Sequence, residues 1–502
     1  MSTIQNFIKR HYIKITSATA LAVGLYKFAE YAVVDHSKGQ SYPLAFMQNV
    51  YWLLQERLGI LEQDKIPYKE EDISRETIQY CLRTGGIILP DGIIKRISFR
   101  RMGNHMKVSQ VRTYCIDITY GSGTENGPVQ LFLKLSPTGF LERLKARLSG
   151  WCISEGNVYT SEIFEQSSLR VANVFYCNYI PGRQVYCIMQ EMLGHLPHGS
   201  INEILGMPMS NSIAAVRSLA RMHSKYFNKV KEHGPEWIGS AYTTTRLETL
   251  RTTGLLNIDG FLSRLKTYER DGYLPTGSVT MEVMYFYRLV VTTYLAHVYT
   301  KQKPRENGGD HNTTIVHGDF RGTNMLLDGE HGVIFSDFKN VHENSPGVDL
   351  AFFLSSSIKR EQDFGQTREI LTAYYDELIH NGGVDAEDYP WHRLLAEVSM
   401  GFSYDALQHI IYLADLPHAP TYEYDARLTA QEENIREQLE NATNHFANRF
   451  RRAIAQQRYW KSPQMIKLAL GYGSKFPPVS VYSRYLPQDL LEDAFHPDSL
   501  SF

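Results

Sequence analysis

Residues 315–354 read IVHGDFRGTNMLLDGEHGVIFSDFKNVHENSPGVDLAFFL. Ile315 and Val316 are β-branched and lead into His317-Gly318-Asp319, with Asn324 five residues beyond the Asp: the pattern H-x-D-x-x-x-x-N. A second apolar run, 325–327, meets the turn signal Asp328-Gly329, and a third, 333–335, comes back. The returning strand delivers Asp337-Phe338 to the place where the hairpin began. Asp319, Asn324 and Asp337 therefore converge as three oxygen ligands. Phosphoryl transfer needs this set: one carboxylate receives the proton of the attacking hydroxyl, while an Asn and a second carboxylate hold metal ions that bridge nucleotide phosphates. As ordinary turn residues the three would only cap strand ends. Their chaining to a hairpin, an Asp-Phe and a Gly-x-Asp-Leu within 40 residues favours the chemistry.

These residues resemble the catalytic loop and metal-binding Asp of kinases, in the form used by small-molecule kinases. Protein kinases usually carry Arg between the His and Asp and Gly after Asp-Phe; Gly318 and Lys339 stand there instead. His317-Gly318-Asp319, Ser336-Asp337-Phe338 and Gly347-Val348-Asp349-Leu350-Ala351 together resemble the aminoglycoside/choline kinase superfamily, and within it the ecdysteroid kinase-like group. The resemblance implies an α+β, bilobal protein-kinase-like fold, with a small mixed β-sheet N-lobe, a mainly helical C-lobe and a helical N-terminal extension. It implies ATP and Mg2+ as cofactors, Asp319 as the catalytic residue, Asn324 and Asp337 as metal ligands, and Asp349 as a brace beneath the catalytic loop. His317 is expected to hold that loop. Lys339 is read equally as a charge near the γ-phosphate or as a surface lysine.

Upstream, 94–99 and 111–120 read as strands, and 102–109 between them takes the place of the phosphate-covering loop. That loop has one glycine, and Ser109 is its candidate phosphate contact. In the next strand, 129–135, Lys134 interrupts apolar residues, where a charge is costly unless paired. A kinase uses such a lysine on the nucleotide phosphates and anchors it with a helical Glu; Glu155 is the candidate, with Glu162 and Glu165 as competitors. Strands are expected at 170–175 and 185–192. By resemblance the second ends at the inter-lobe hinge, with Met189 in the gatekeeper place and backbone near Glu191 and Met192 for the adenine edge. From Ser210 the periodicity becomes helical. His223, in Ala220-Arg221-Met222-His223, reads as structural. Tyr404, Asp405, His409, Tyr412 and Asp415 share a helical face that either walls the acceptor pocket or is solvated; 427–454 reads as a long packing helix.

The chain of 502 residues exceeds a kinase core, and it divides by pattern into an extension (1–70), an N-lobe (71–193) and a C-lobe (194–502) carrying the hairpin 315–354. With 43% hydrophobic and 21% charged residues it can bury a large core, and a net charge of −2 with both signs interspersed gives no pull toward nucleic acid. Five scattered cysteines without a C-x-x-C argue for reduced thiols, an intracellular and mostly cytoplasmic location, and no zinc site. Residues 15–26 are apolar or small but shorter than the ~20 residues a spanning helix needs. Three readings stay open for the basic N-terminal segment: a targeting signal (mitochondrial among them), a membrane-surface helix making contact through 9–34, and a helix packed on the body.

The function expected is transfer of the γ-phosphate of ATP to a hydroxyl of a small-molecule acceptor. The alternative is a catalytically silent kinase-fold nucleotide sensor or scaffold. A protein kinase is disfavoured, because no Ala-Pro-Glu follows Asp337 and only twelve residues separate Asp337 from Asp349.

Overall fold

A computed structural model describes residues 48–52, 66–102, 111–121, 127–137, 139, 143, 151–163, 169–180, 185–196, 207–239, 258–267, 269–271, 276–277, 279, 312–329, 332–358, 364–391, 393–395, 397–398, 401 and 404–405. The basic segment 9–34, Ser109, His409, Tyr412, Asp415 and the helix expected over 427–454 lie outside them. The chain divides into two compact units: the described residues of Met1–Met102, Gln110–Gly156 and Val174–Gln190 form one, and those of Asn157–Asn173 and Glu191–Phe502 the other. No helix among the described residues is long and apolar enough to cross a membrane.

The first unit is built on a five-stranded sheet in the order β1-β2-β3-β5-β4, from β1 (Ile94–Met102), β2 (Arg112–Tyr120), β3 (Gln130–Leu135), β4 (Val174–Ile180) and β5 (Val185–Glu191). Pairs β1–β2, β2–β3 and β4–β5 are antiparallel. Alternation explains which face is buried. Tyr114, Ile116 and Ile118 of β2 and Leu131, Leu133 and Leu135 of β3 point into one core. Helix α1 (Arg75–Thr84) covers that core with Ile78, Cys81 and Leu82. Its start is set by Ser74, whose hydroxyl accepts the Thr77 N–H at 3.1 Å.

The strand expected at 170–175 forms instead at Val174–Ile180. Val171 makes an isolated parallel bridge to Phe335, and the Phe335 N–H donates to Arg170 O at 2.9 Å. Residues 170–173 are thus claimed by the hairpin of the second unit, and β4 takes the following run, Val174-Phe175-Tyr176-Cys177.

The second unit centres on helix α4 (Gly347–Ser356), every residue of which is buried. A helix apolar all round has to be a core element, and Phe353, Leu350 and Leu354 sit in one cluster with Phe320, Phe335 and Phe338. Helices α3 (Met209–Tyr226) and α5 (Phe364–Asp376) pack in the same cluster through Leu219, Val216, Ile370 and Tyr374. The stretch 314–344 forms two small antiparallel sheets: β6 (Thr314–Val316) with β9 (His342–Asn344), and β7 (Met325–Asp328) with β8 (Gly332–Phe335).

Two glycines give opposite expectations. A Cβ on Gly85, which ends α1, would lie 1.9 Å from Phe175 O, whereas a Cβ on the helical Gly260 meets nothing within 4 Å. Gly85→Ala should therefore destabilise by roughly 2 kcal/mol or more through overpacking. Gly260→Ala should stabilise by about 0.5–1 kcal/mol through lost chain entropy. Thermal and urea unfolding measure both.

Candidate active site

In the first unit, β3 sends Leu133 and Leu135 into the core and Lys134 to the opposite face. Lys134 Nζ lies 2.5 Å from Glu155 Oε1 of α2 (Trp151–Thr160), with the Glu side chain fully buried and the Lys side chain 10% exposed. Glu155 is thus the candidate acid that Lys134 meets; Glu165 lies outside the described residues. Neither charge has much water, so each depends on the other. Close by, Cys177 Sγ donates to Gly156 O at 3.6 Å. Burial first, and the Glu155 charge second, push the Cys177 thiol up to about 12.

In the second unit the loop 317–319 hangs from one carboxylate. Asp349 is fully buried in α4; its Oδ2 accepts the His317 N–H at 2.6 Å and its Oδ1 the Gly318 N–H at 2.8 Å. His223 of α3 adds a third contact, Nε2 to Oδ2 at 3.3 Å, while its Nδ1 lies 2.8 Å from the Tyr374 hydroxyl. Burial holds the Tyr374 phenol protonated, with the Glu397 and Asp349 charges adding to it. The network therefore selects Tyr374 O–H donating to Nδ1 and Nε2–H donating to Asp349. His223 is a strut, and Asp349 is the brace its position suggested.

Gly318 has φ +76°, and a Cβ there would fall 2.2 Å from Asn340 O. The Arg that protein kinases carry at this place has no room here. His317 links the two halves of the hairpin: the Asp319 N–H donates to its Nδ1 at 3.3 Å, and its Nε2–H donates to Ser336 O at 3.0 Å. Ser336 closes the other side, its N–H (3.0 Å) and hydroxyl (2.9 Å) both donating to Asn324 O. Asn324 Nδ2 donates to Asp319 O at 2.9 Å, which turns its amide oxygen away from that bond. Asp337 follows directly, in the left-handed region at φ 64°, ψ 55°. Non-glycine residues are held there only where surroundings over-determine them, commonly at functional sites. The anchor is Phe338, buried, with its ring 4.6 Å from that of His317 and 5.9 Å from that of Tyr159.

Arg321, which the sequence reading did not single out, and Lys339, read there equally as a charge near the γ-phosphate or as a surface lysine, complete the group. Arg321 Nε lies 3.0 Å from Asp319 Oδ1 and its Nη2 donates to Oδ2 at 3.2 Å; Lys339 Nζ donates to Asp337 Oδ2 at 2.7 Å. The signal was the repeated spacing of Asp, any residue, then a cation. Asp319 and Asn324 are buried, whereas Asp337 is about one-fifth exposed. An amide oxygen and a carboxylate are the hard donors a divalent cation such as Mg2+ takes, and Ser336 holds Asn324 beside the segment that carries Asp337, so the residues fit. Among the described residues no three His, Cys, Asp or Glu cluster as a metal cage.

At the end of β5, the Glu191 N–H donates to Asn173 O at 2.8 Å and its carboxylate accepts from Asn173 Nδ2 at 2.8 Å. The amide of Glu191 is therefore engaged. Tyr404 and Asp405 are buried, and the Tyr404 ring packs 6.1 Å from Phe352 and 6.2 Å from His342, so the solvated-face reading does not hold for these two.

Residues 159–382 match the model of the ecdysteroid kinase-like family. The ecdysteroid kinase-like match spans His223, the hairpin and Asp349, and leaves Lys134 and Glu155 upstream of it. No curated protein matches the chain. Similar solved structures include a spectinomycin phosphotransferase in complex with ADP and spectinomycin, at 13% identity, covering 75% of this chain and 98% of that one, with TM-score 0.42. An amicoumacin kinase in complex with AMP-PNP and Ca2+ is similar at 13% identity over 73% and 92% of the two chains, with TM-score 0.39. A choline/ethanolamine kinase family protein from Mesorhizobium loti is similar at 14% identity over 74% and 92%, with TM-score 0.38.

Two outcomes follow from the first unit. Glu155→Ala strands the Lys134 charge and should cost about 3–5 kcal/mol, while Lys134→Met with Glu155→Leu should recover most of that loss in urea unfolding. Because its pKa is raised, Cys177 stays a thiol at pH 8, and the thiolate is the reactive form. Peptide mapping after iodoacetamide at pH 8 should find it unmodified in the native protein and modified in urea.

Proposed function

We propose that this chain is an ATP- and Mg2+-dependent phosphotransferase that moves the γ-phosphate to a hydroxyl of a small molecule. The observation that carries the reading is the double hydrogen bond from Ser336 to Asn324 O, which ties the Asn324 end of β7 to the residue before Asp337. The match of 159–382 to the ecdysteroid kinase-like family supports it.

Asp319 orients the acceptor hydroxyl and takes its proton on a carboxylate oxygen as the new O–P bond forms and the bond from the γ-phosphorus to the β,γ-bridging oxygen breaks, with ADP leaving. Asn324 and Asp337 would hold Mg2+, which when bound neutralises charge on the nucleotide phosphates. Lys134, held by Glu155, positions the nucleotide phosphates, with the Glu191 carbonyl and Met192 backbone on the base and Ser109 on a phosphate. In this reading 71–193 is the N-lobe, 194–502 the C-lobe and 1–70 an extension of either targeting, membrane-contacting or packing character. The protein works inside the cell on a small molecule and takes no nucleic acid, in keeping with its net charge of −2.

The ion pairs already made by Asp319 and Asp337 favour a second reading, a silent nucleotide sensor in which Arg321 and Lys339 keep both carboxylates occupied. Labelled Mg-ATP, a small-molecule extract and mass spectrometry separate the two. The wild type should phosphorylate at least one compound, and Asp319→Asn should lower that rate by on the order of 10²–10⁴, the worth of a positioned base. Nucleotide binding without any phosphorylated product would support the sensor, and an undiminished rate in Asp319→Asn would sink the mechanism.

A further inference from the structure

Asp319 and Asp337 each carry a cation two residues downstream, and the second of these pairs has a consequence for how ligands enter. Lys339 cannot drift freely. It lies in the single 3-10 turn Phe338–Asn340, between Phe338, whose buried ring packs on His317, and Asn340, whose carbonyl sits against Gly318. Both neighbours are thus anchored to the catalytic loop, and Asp337 before them is locked in the left-handed region. From that turn the Lys339 ammonium reaches Asp337 Oδ2 at 2.7 Å, with its side chain 26% exposed.

We propose that Lys339 is an internal counter-ion that holds the cation's place on Asp337 and is exchanged when nucleotide binds, so that divalent cation and nucleotide bind cooperatively. The inference rests on the metal-binding reading of Asp337. Lys339 has to leave, or be repelled by, any second cation on the same carboxylate, because two positive charges within a few ångströms in a partly buried site repel strongly. Without nucleotide the ammonium sits on Asp337 Oδ2, and it competes with the metal there. With nucleotide, Lys339 can turn to the phosphate oxygens, which frees Asp337. Differential interaction of one ligand with the two arrangements of Lys339 is all that coupling requires, and the coupling is reciprocal. Lys339 is then a positioning residue of the site, and its charge separates a metal-excluding resting state from a metal-accepting nucleotide state.

Mn2+ binding followed by electron paramagnetic resonance, with and without AMP-PNP, tests this without turnover. Lys339→Met should bind Mn2+ alone about tenfold or more tighter than wild type, the response to losing one close like charge. AMP-PNP should tighten Mn2+ binding in wild type by a larger factor than in Lys339→Met. Lys339→Arg should behave as wild type, Asp337→Asn should lose the site, and Lys231→Met, an exposed lysine elsewhere in the unit, should change nothing. Lys339→Gln repeats the measurement should the Met variant fold poorly. Equal Mn2+ affinity in wild type and Lys339→Met, both abolished by Asp337→Asn, would overturn the counter-ion while leaving the metal site intact. Absence of any Asp337-dependent Mn2+ binding, with or without AMP-PNP, would overturn the metal site and the inference together.

Discussion

The buried carboxylate of Asp349 is the contact on which the second unit turns. It lies in a helix with no exposed residue, and it is tolerable there only because two backbone N–H groups and His223 satisfy it. Hydrogen bonds to a charged acceptor are worth about 1.5–3 kcal/mol each, and leaving that acceptor unsatisfied would cost more. The core therefore requires the loop 317–319 to sit where it does. Loop geometry and core stability are one constraint, with the hydrophobic cluster around Phe320 and Phe353 closing over it.

From that anchor the remaining geometry propagates through short links. Gly318 turns with positive φ under Asn340 O, and His317 spans from the Asp319 amide to Ser336 O. Ser336 grips Asn324 twice, and Phe338 packs on the His317 ring, which leaves Asp337 in a left-handed conformation. No single link is strong. Together they over-determine three oxygen-bearing side chains that no single strand or helix could bring together.

The first unit uses charge differently. Lys134 and Glu155 form a buried ion pair that contributes little to stability beyond satisfying itself, since desolvation offsets most of the attraction. Arg321 and Lys339 are placed differently: Arg321 pairs with the buried Asp319, and Lys339 with Asp337, which stays partly exposed.

Much of this was legible in the chain because it rests on local rules. Period-two alternation marked the strands around Lys134, a lysine in an apolar strand demanded a partner, and the H-x-D-x-x-x-x-N spacing with its Asp-Gly turn marked the hairpin. Other features were not legible. His342-Glu343-Asn344 is wholly polar, yet it forms a strand with His342 and Asn344 buried, where His342 donates to Asn340 O and accepts from Asn344 Nδ2 and so brings its own hydrogen-bond partners inside. The strand start at Val174 was displaced because Val171 finds its partner in the hairpin, more than 160 residues away in sequence. That Glu155 meets Lys134, and that Arg321 and Lys339 face the two aspartates, depends on side-chain distances. Spacing in the sequence determined which chemistry is present; the tertiary structure alone decided which charges touch, because a contact between charges is set by ångströms in space and not by position along the chain.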